Sequence, residues 1–296
     1  MNRIFLNLKC SGRFALLMFV FALATAEVSA QQEPHNNAAT RKPSVSADAA
    51  IERFVAECVS IKPGEAQFPK RFRLGTDAPN KDEIAAHEVT LDHSFRISKY
   101  EVTQELYAAV MGANPSRWKG LRNSVEQVSF LDAKQFCVKL SELLTSRKMI
   151  AEGWEVRLPT SVEWEYCCRS GAKTRFSFGN SAGPDGTTTE LDKHAWHTGN
   201  AAGNDPAVGV LEPNGWGLFD VHGYLWEYVS DENAGDSQQI PLLAGECLIR
   251  GGSWRDAHMR LSCSTYLKIS ETQVSDAVGF RCVIAEKPEV KLPPRR

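Results

Sequence analysis

Arg250-Gly251-Gly252-Ser253-Trp254 runs directly into Arg255-Asp256-Ala257-His258-Met259-Arg260-Leu261-Ser262-Cys263. The stretch reads as a β-strand whose polar side chains could carry chemistry. Asp256 and His258 lie two residues apart, so on a regular strand they would share a face and set a carboxylate beside an imidazole as an acid–base pair. The competing and more common arrangement is a solvated carboxylate and an ordinary surface histidine. Cys263 supplies a single sulfur, and one sulfur near a histidine does not make a two-thiolate site for a soft metal.

Outward from this stretch the chain carries Tyr100-Glu101-Val102-Thr103, Asn114-Pro115-Ser116, Val128-Ser129-Phe130, Arg157-Leu158-Pro159-Thr160, Pro213-Asn214-Gly215-Trp216-Gly217-Leu218-Phe219-Asp220, Gly223-Tyr224-Leu225-Trp226-Glu227-Tyr228 and Gly279-Phe280-Arg281. In this order, from about Phe72 to Cys282, these segments resemble the formylglycine-generating enzyme family, also called sulfatase-modifying-factor domains. The resemblance implies an α+β, modified C-type-lectin-like fold with little regular secondary structure and long loops.

It also bears on activity. Active members of the family hold copper(I) between two thiolates, a soft ion on soft sulfur, and convert a sulfatase cysteine to formylglycine. Counted from Gly-Gly-Ser, those two positions fall on Asp256 and Leu261, a hard carboxylate and an apolar side chain. Copper is therefore not expected. Ser253 and Trp226 match residues lining the family's active-site pocket, and with Asp256 and His258 they are the pocket candidates. None is assigned as catalytic.

The family's calcium ligands match Asp220 and Glu227 through their carboxylates and Gly223 and Leu225 through main-chain carbonyls. Calcium takes oxygen ligands in flexible geometry, so a tight turn with carboxylates at either end suits it. Carboxylates in loops also serve as turn formers and ion-pair partners. The resemblance pairs Cys137 with Cys282 and Cys168 with Cys263 as disulfides. The first would close a long loop, worth ~3 to 5 kcal/mol in the chain-entropy model before any strain. The resemblance assigns no disulfide to Cys58, Cys167 or Cys247.

A 296-residue chain that is 43% hydrophobic and 24% charged is long enough for one large core. Its formal net charge of -2 offers no field for nucleic acid or anionic membrane. Arg3, Lys9 and Arg13, the apolar run Phe14 to Ala26 and the small residues Val28-Ser29-Ala30 read as a signal peptide over 1–30, cleaved near Ala30. A secreted or periplasmic protein follows, with no membrane contact after cleavage, in a compartment where disulfides persist. Residues 31–66 are expected to hold a polar linker and one amphipathic helix through Ile51, Phe54, Val55, Cys58 and Val59, packed on the domain at 67–286. The proline-bearing tail, 287–296, is expected to be disordered.

Inside the domain, Thr103 and Gly112 bracket a helix over Gln104 to Met111, and Thr160 with Glu163 forms a capping box opening a helix from Ser161 to about Arg169. That cap explains Glu163 better than an acid–base pair with Glu165 would. Arg250 and Arg281 read as buried, paired arginines, and the scattered histidines match no metal motif. The favoured function is an exported binding or accessory protein whose loop-built cleft holds a peptide, glycan or protein ligand, a sulfatase among them. The alternative is a protein-cysteine oxidase that generates formylglycine through an atypical site, and a third is another oxidase chemistry on small thiols or phenols.

Overall fold

Ser46 accepts the Ala49 amide and opens α1 (Ala47–Glu57), which sends Ile51 and Phe54 into the core. The computed structural model describes residues 46–180, 189–201, 205–230 and 240–288; the expected signal peptide, most of the linker and nearly all of the tail lie outside them. The helical spacing that continues through Cys58 and Val59 is broken, because both residues begin β1 (Cys58–Ile61). Four residues of apolar spacing suit a further helical turn or a short strand equally, and pairing with a distant strand decides between them. Helix and strand belong to the same compact unit as the rest, Ser44–Arg296.

The next strands are β2 (Arg71–Leu74) and β3 (His87–Thr90), an antiparallel ribbon, followed by β4 (Phe95–Ser98). α2 (Gln104–Met111) has the limits its caps dictate: Thr103 accepts the Leu106 amide, and Gly112 stops the helix at φ 80°. α3 (Phe130–Ser146) starts at a Ser129–Asp132 capping box, and β5 (Trp154–Arg157) follows it. α4 (Ser161–Arg169) carries both hydrogen bonds of the Thr160–Glu163 box. The remaining strands are β6 (Trp226–Val229), β7 (Glu246–Arg250), β8 (Tyr266–Ser270), β9 (Val278–Gly279) and β10 (Val283–Glu286).

Two four-stranded sheets result, in the orders β1-β4-β10-β5 and β8-β7-β6-β9, with only the β6–β9 pair parallel. Central strands feed two cores at once. On β10, Ile284 joins the core beneath α1, α2 and α3, while Val283 and Ala285 join the core around α4; β7 divides Ile249 and Leu248 in the same way. Between Gly171 and Gly217 the described residues form loops, with one short 3-10 helix at Leu191–Lys193 and an isolated bridge between Phe176 and Gly179. No helix among the described residues is long and apolar enough to cross a membrane.

The stretch after Arg250 is not a strand. β7 ends at Arg250, Gly251 and Gly252 turn the chain at φ 97° and 77°, and His258–Arg260 forms a 3-10 helix. A β-carbon on Gly252 would lie 2.9 Å from the Arg260 carbonyl oxygen, so both the dihedral and the close approach exclude larger residues. Asp256 and His258 consequently share no strand face.

Candidate functional site

Asp256 is the hub of this turn. Its Oδ2 accepts the Ser253 hydroxyl at 2.6 Å, the Ser253 amide at 3.1 Å and the Trp226 indole N–H at 2.8 Å. Three of the four pocket candidates therefore meet. Ser253 and Trp226 are both buried, so their polar atoms close upon Asp256 instead of facing an open cleft. His258 opens the neighbouring 3-10 helix, and among the described residues the ionic partner of Asp256 is Arg260 at 3.6 Å. The acid–base pairing of Asp256 with His258 is not formed, because the glycine turn replaces the alternation it required.

Leu261, at the second thiolate position, is fully buried against Phe176, Leu191 and Ala195. It fills an apolar cluster and offers no ligand.

The sulfurs lie elsewhere. Cys137 faces Cys282 at 3.7 Å and Cys168 faces Cys263 at 3.4 Å, the two pairings the resemblance implies. His222 completes a buried trio with Cys168 and Cys263, their potential ligand atoms all within 4.8 Å of one another. No sequence signal points to it, since His222 lies 54 positions from Cys168. Cys168 Sγ is 3.9 Å from both ring nitrogens, equidistant from the two and aligned on neither. The nitrogens are also engaged: Nδ1 meets the Leu261 carbonyl at 2.9 Å, and Nε2 meets the Ser177 amide at 3.1 Å and hydroxyl at 2.9 Å. Burial holds the His222 pKa down at about 4 against the pull of the Leu261 carbonyl, and burial lifts the Cys168 thiol well above its ordinary value. A neutral ring packed against neutral sulfur is the outcome.

The turn expected to hold calcium is tightly wound. Asp220, Gly223 and Tyr224 have φ of 59°, 109° and 74°, and a β-carbon on Gly223 would lie 2.4 Å from the Trp196 carbonyl oxygen. Asp220 Oδ2 accepts the Gly209 amide at 2.8 Å. Glu227 receives Arg281 Nε at 2.6 Å, Arg281 Nη2 at 2.8 Å and the Trp164 indole at 2.9 Å, a fork geometry that makes it the less available of the two carboxylates. A third carboxylate, Glu101, is bonded by the Ser124 hydroxyl and by the Leu225 amide at 3.3 Å. Burial raises Asp220 to about 6, with Glu227 adding and the Gly209 amide and Arg281 opposing; burial, then Glu227 and Asp220, push Glu101 well up. Three buried carboxylates share one guanidinium, and the upward shifts of Glu101 and Asp220 are the cost of burying them beside Glu227.

The other charged residues are architecture. Arg281 also donates to the carbonyls of Lys99 and Phe219, tying the end of β9 to two loops. Arg250 binds Glu165, which in turn accepts Arg169 Nε at 2.8 Å and the Gly75 amide at 2.7 Å. His197 is paired with Asp192 at 2.7 Å, and His194 stacks on Phe178 with ring centroids 4.6 Å apart.

Residues 45–286 match the family model described as the sulfatase-modifying factor enzyme 1-like domain. The inactive C-alpha-formylglycine-generating enzyme 2 of Mus musculus is 31% identical, over 77% of this chain and 90% of its own length. Chaperone protein LppX of Paenibacillus barcinonensis is 30% identical, over 53% of this chain and 70% of its own. Among solved structures, Treponema denticola variable protein 1 superposes with a TM-score of 0.62 at 26% identity, over 78% of this chain and 95% of that one. These neighbours agree with the mixed helix and sheet architecture of the C-type-lectin-like kind. On the match over most of its length, the chain belongs to the sulfatase-modifying factor, or formylglycine-generating-enzyme-like, family.

Proposed function

We propose that the chain is an exported binding or accessory protein on a formylglycine-generating-enzyme-like scaffold, holding a peptide, glycan or protein ligand and not oxidising it. The supporting observation is the state of the two thiolate positions. Asp256 is locked by Ser253 and Trp226, and Leu261 is sealed in an apolar cluster, which supports reading these two positions as structural and not as a soft ligand pair. Two relatives are named for something other than oxidation, one an inactive enzyme and one a chaperone.

In the same reading calcium is held by Asp220, by the carbonyls of Gly223 and Leu225, and by Glu227 where Arg281 leaves it a lone pair. Its contribution is charge balance and a fixed turn. The two facing sulfur pairs are disulfides in an oxidising compartment outside the cytoplasm, the destination that the charged, apolar and small-residue pattern of residues 1–30 supports.

The deciding experiment incubates purified protein with copper, reductant and a cysteine-containing sulfatase peptide and follows peptide mass. No aldehyde product is expected. Product that forms at a rate proportional to this protein overturns the reading and restores an oxidase with an atypical site.

A further inference from the structure

Near the closed turn, one exposed tryptophan, Trp118, and one half-buried one, Trp254, each have an arginine laid against the ring. Arg117 sits over Trp118 at 4.8 Å from the ring centroid, and Arg255 over Trp254 at 4.6 Å. Such pairs are held by the attraction of a cation for the negative face of the ring. They come from segments more than a hundred positions apart, yet a single buried residue joins them. The Asp276 carboxylate binds Arg255 Nη2 at 2.5 Å and Arg117 Nη1 at 3.5 Å, and its carbonyl accepts the Trp254 indole N–H at 3.1 Å.

The first pair is also fixed from beneath. Glu126, buried, accepts the backbone amides of both Arg117 and Trp118, the latter at 3.0 Å, so the loop is held by its main chain and leaves its side chains to the solvent. Side chains of Arg117 and Arg255 are 61% and 50% exposed while Asp276 is 5% exposed, and Trp118 is 45% exposed. The carboxylates of Asp276 and Glu126 are buried while the guanidiniums beside them reach the solvent, so what the surface presents is cationic N–H groups next to aromatic rings that are already ordered. Tryptophan and arginine dominate the energetics of protein interfaces, and ordering them beforehand lowers the entropy lost on binding.

We propose that this pair of arginine-capped tryptophans, pinned by Asp276, is a docking surface for an acidic peptide segment carrying an aromatic or large apolar side chain. Ligand carboxylates take the outward N–H groups of Arg117 and Arg255 that Asp276 does not use. The apolar side chain covers Trp118. The assignment rests on the binding reading given above and names the class of ligand for it, placing the contact on the rim of the turn and not inside it.

The test uses the full chain and two blocked peptides, one with four glutamates around a phenylalanine and one with lysines in place of the glutamates, with affinity measured by calorimetry. The glutamate peptide is expected to bind at least about tenfold more tightly than the lysine peptide and to weaken as salt is raised. The Arg117→Ala/Arg255→Ala double variant is expected to lose about tenfold or more, and Trp118→Ala severalfold, while Arg147→Ala, a distant surface control, changes nothing. Thermal melts confirm that each variant is folded, and a Lys/Lys replacement of the two arginines keeps the charge but not the fork, so partial rescue is expected. Equal binding of the two peptides, an unaffected double variant, or preference for a sulfated oligosaccharide over the glutamate peptide overturns the proposal. Aldehyde formation in the oxidase assay with acidic-peptide binding intact sinks only the accessory reading; lost peptide selectivity with no aldehyde sinks only the docking surface.

Discussion

The Trp226 indole donates to the Asp256 carboxylate at 2.8 Å, and this bond joins β6 to the turn that follows β7. The carboxylate at a position the family uses for a thiolate is thus a structural acceptor, serving an indole, a hydroxyl and an amide at once.

Replacing that acceptor should be costly. Asp256→Ala leaves buried donors on Trp226 and Ser253 without a partner, a loss of about 1–3 kcal/mol. Asp256→Asn keeps an acceptor oxygen and should lose less. Denaturant midpoints with tryptophan fluorescence measure both; an alanine variant as stable as the parent would show the hub to be incidental.

Glu163 sets the acid limb of stability. Burial raises its pKa, but hydrogen bonds from Arg157 and His93 and the charge of Arg157 outweigh burial and depress it to about 2. A carboxylate depressed in the folded state contributes stability that is present above its unfolded value, about 4.3, and is lost as pH falls toward the folded one. The full contribution is on the order of 3 kcal/mol. Glu163→Gln should therefore be less stable at neutral pH and flatter between about pH 4.3 and pH 2. Unfolding titrations of both proteins across that window decide it, and parallel curves would refute the assignment.

The sulfur pairs predict a reductant-sensitive protein. Non-reducing peptide mapping of protein folded under oxidising conditions should find Cys137 joined to Cys282 and Cys168 to Cys263, spanning 145 and 95 positions. Closing loops of that length is worth about 4–5 kcal/mol each in the chain-entropy model. A melting temperature indifferent to reductant, with both pairs alkylatable after unfolding, would leave them as thiols.

Calcium should act as a folding ligand. At a concentration about a hundred times its Kd it would raise the melting temperature by about 5–10 °C, a shift removed by chelation and abolished in Asp220→Ala. If chelation leaves the melting curve unchanged, the negative surplus around Asp220, Glu227 and Glu101 is managed by protons.

Local signals were legible where they are local. The limits of α2 and α4 follow from Thr103, Gly112, Thr160 and Glu163, because a cap is a contact between residues three or four apart. The spacing of Cys58 and Val59 extends the helical pattern because the identity of β1 depends on β4, about forty positions on, a partner that local spacing does not contain. The stretch after Arg250 reads as strand for the opposite reason: its polar alternation is real, but two glycines at positive φ end the strand before it. The absence of thiols at Asp256 and Leu261 was visible in the sequence; that Asp256 closes on Trp226, that His222 lies against two sulfurs, and that Asp276 gathers Arg117 and Arg255 depend on long-range packing.

β10 lies between β4 and β5 and is the only link between them in its sheet. During synthesis, β5 has no strand to pair with until residues 283–286 emerge, and β4 has only β1. The sheet that holds β1, β4 and β5 must therefore wait for residues 283–286 to close. Folding should be slow and late, and truncation even just short of residue 283 should release a chain that is captured by chaperones or aggregates before it can fold.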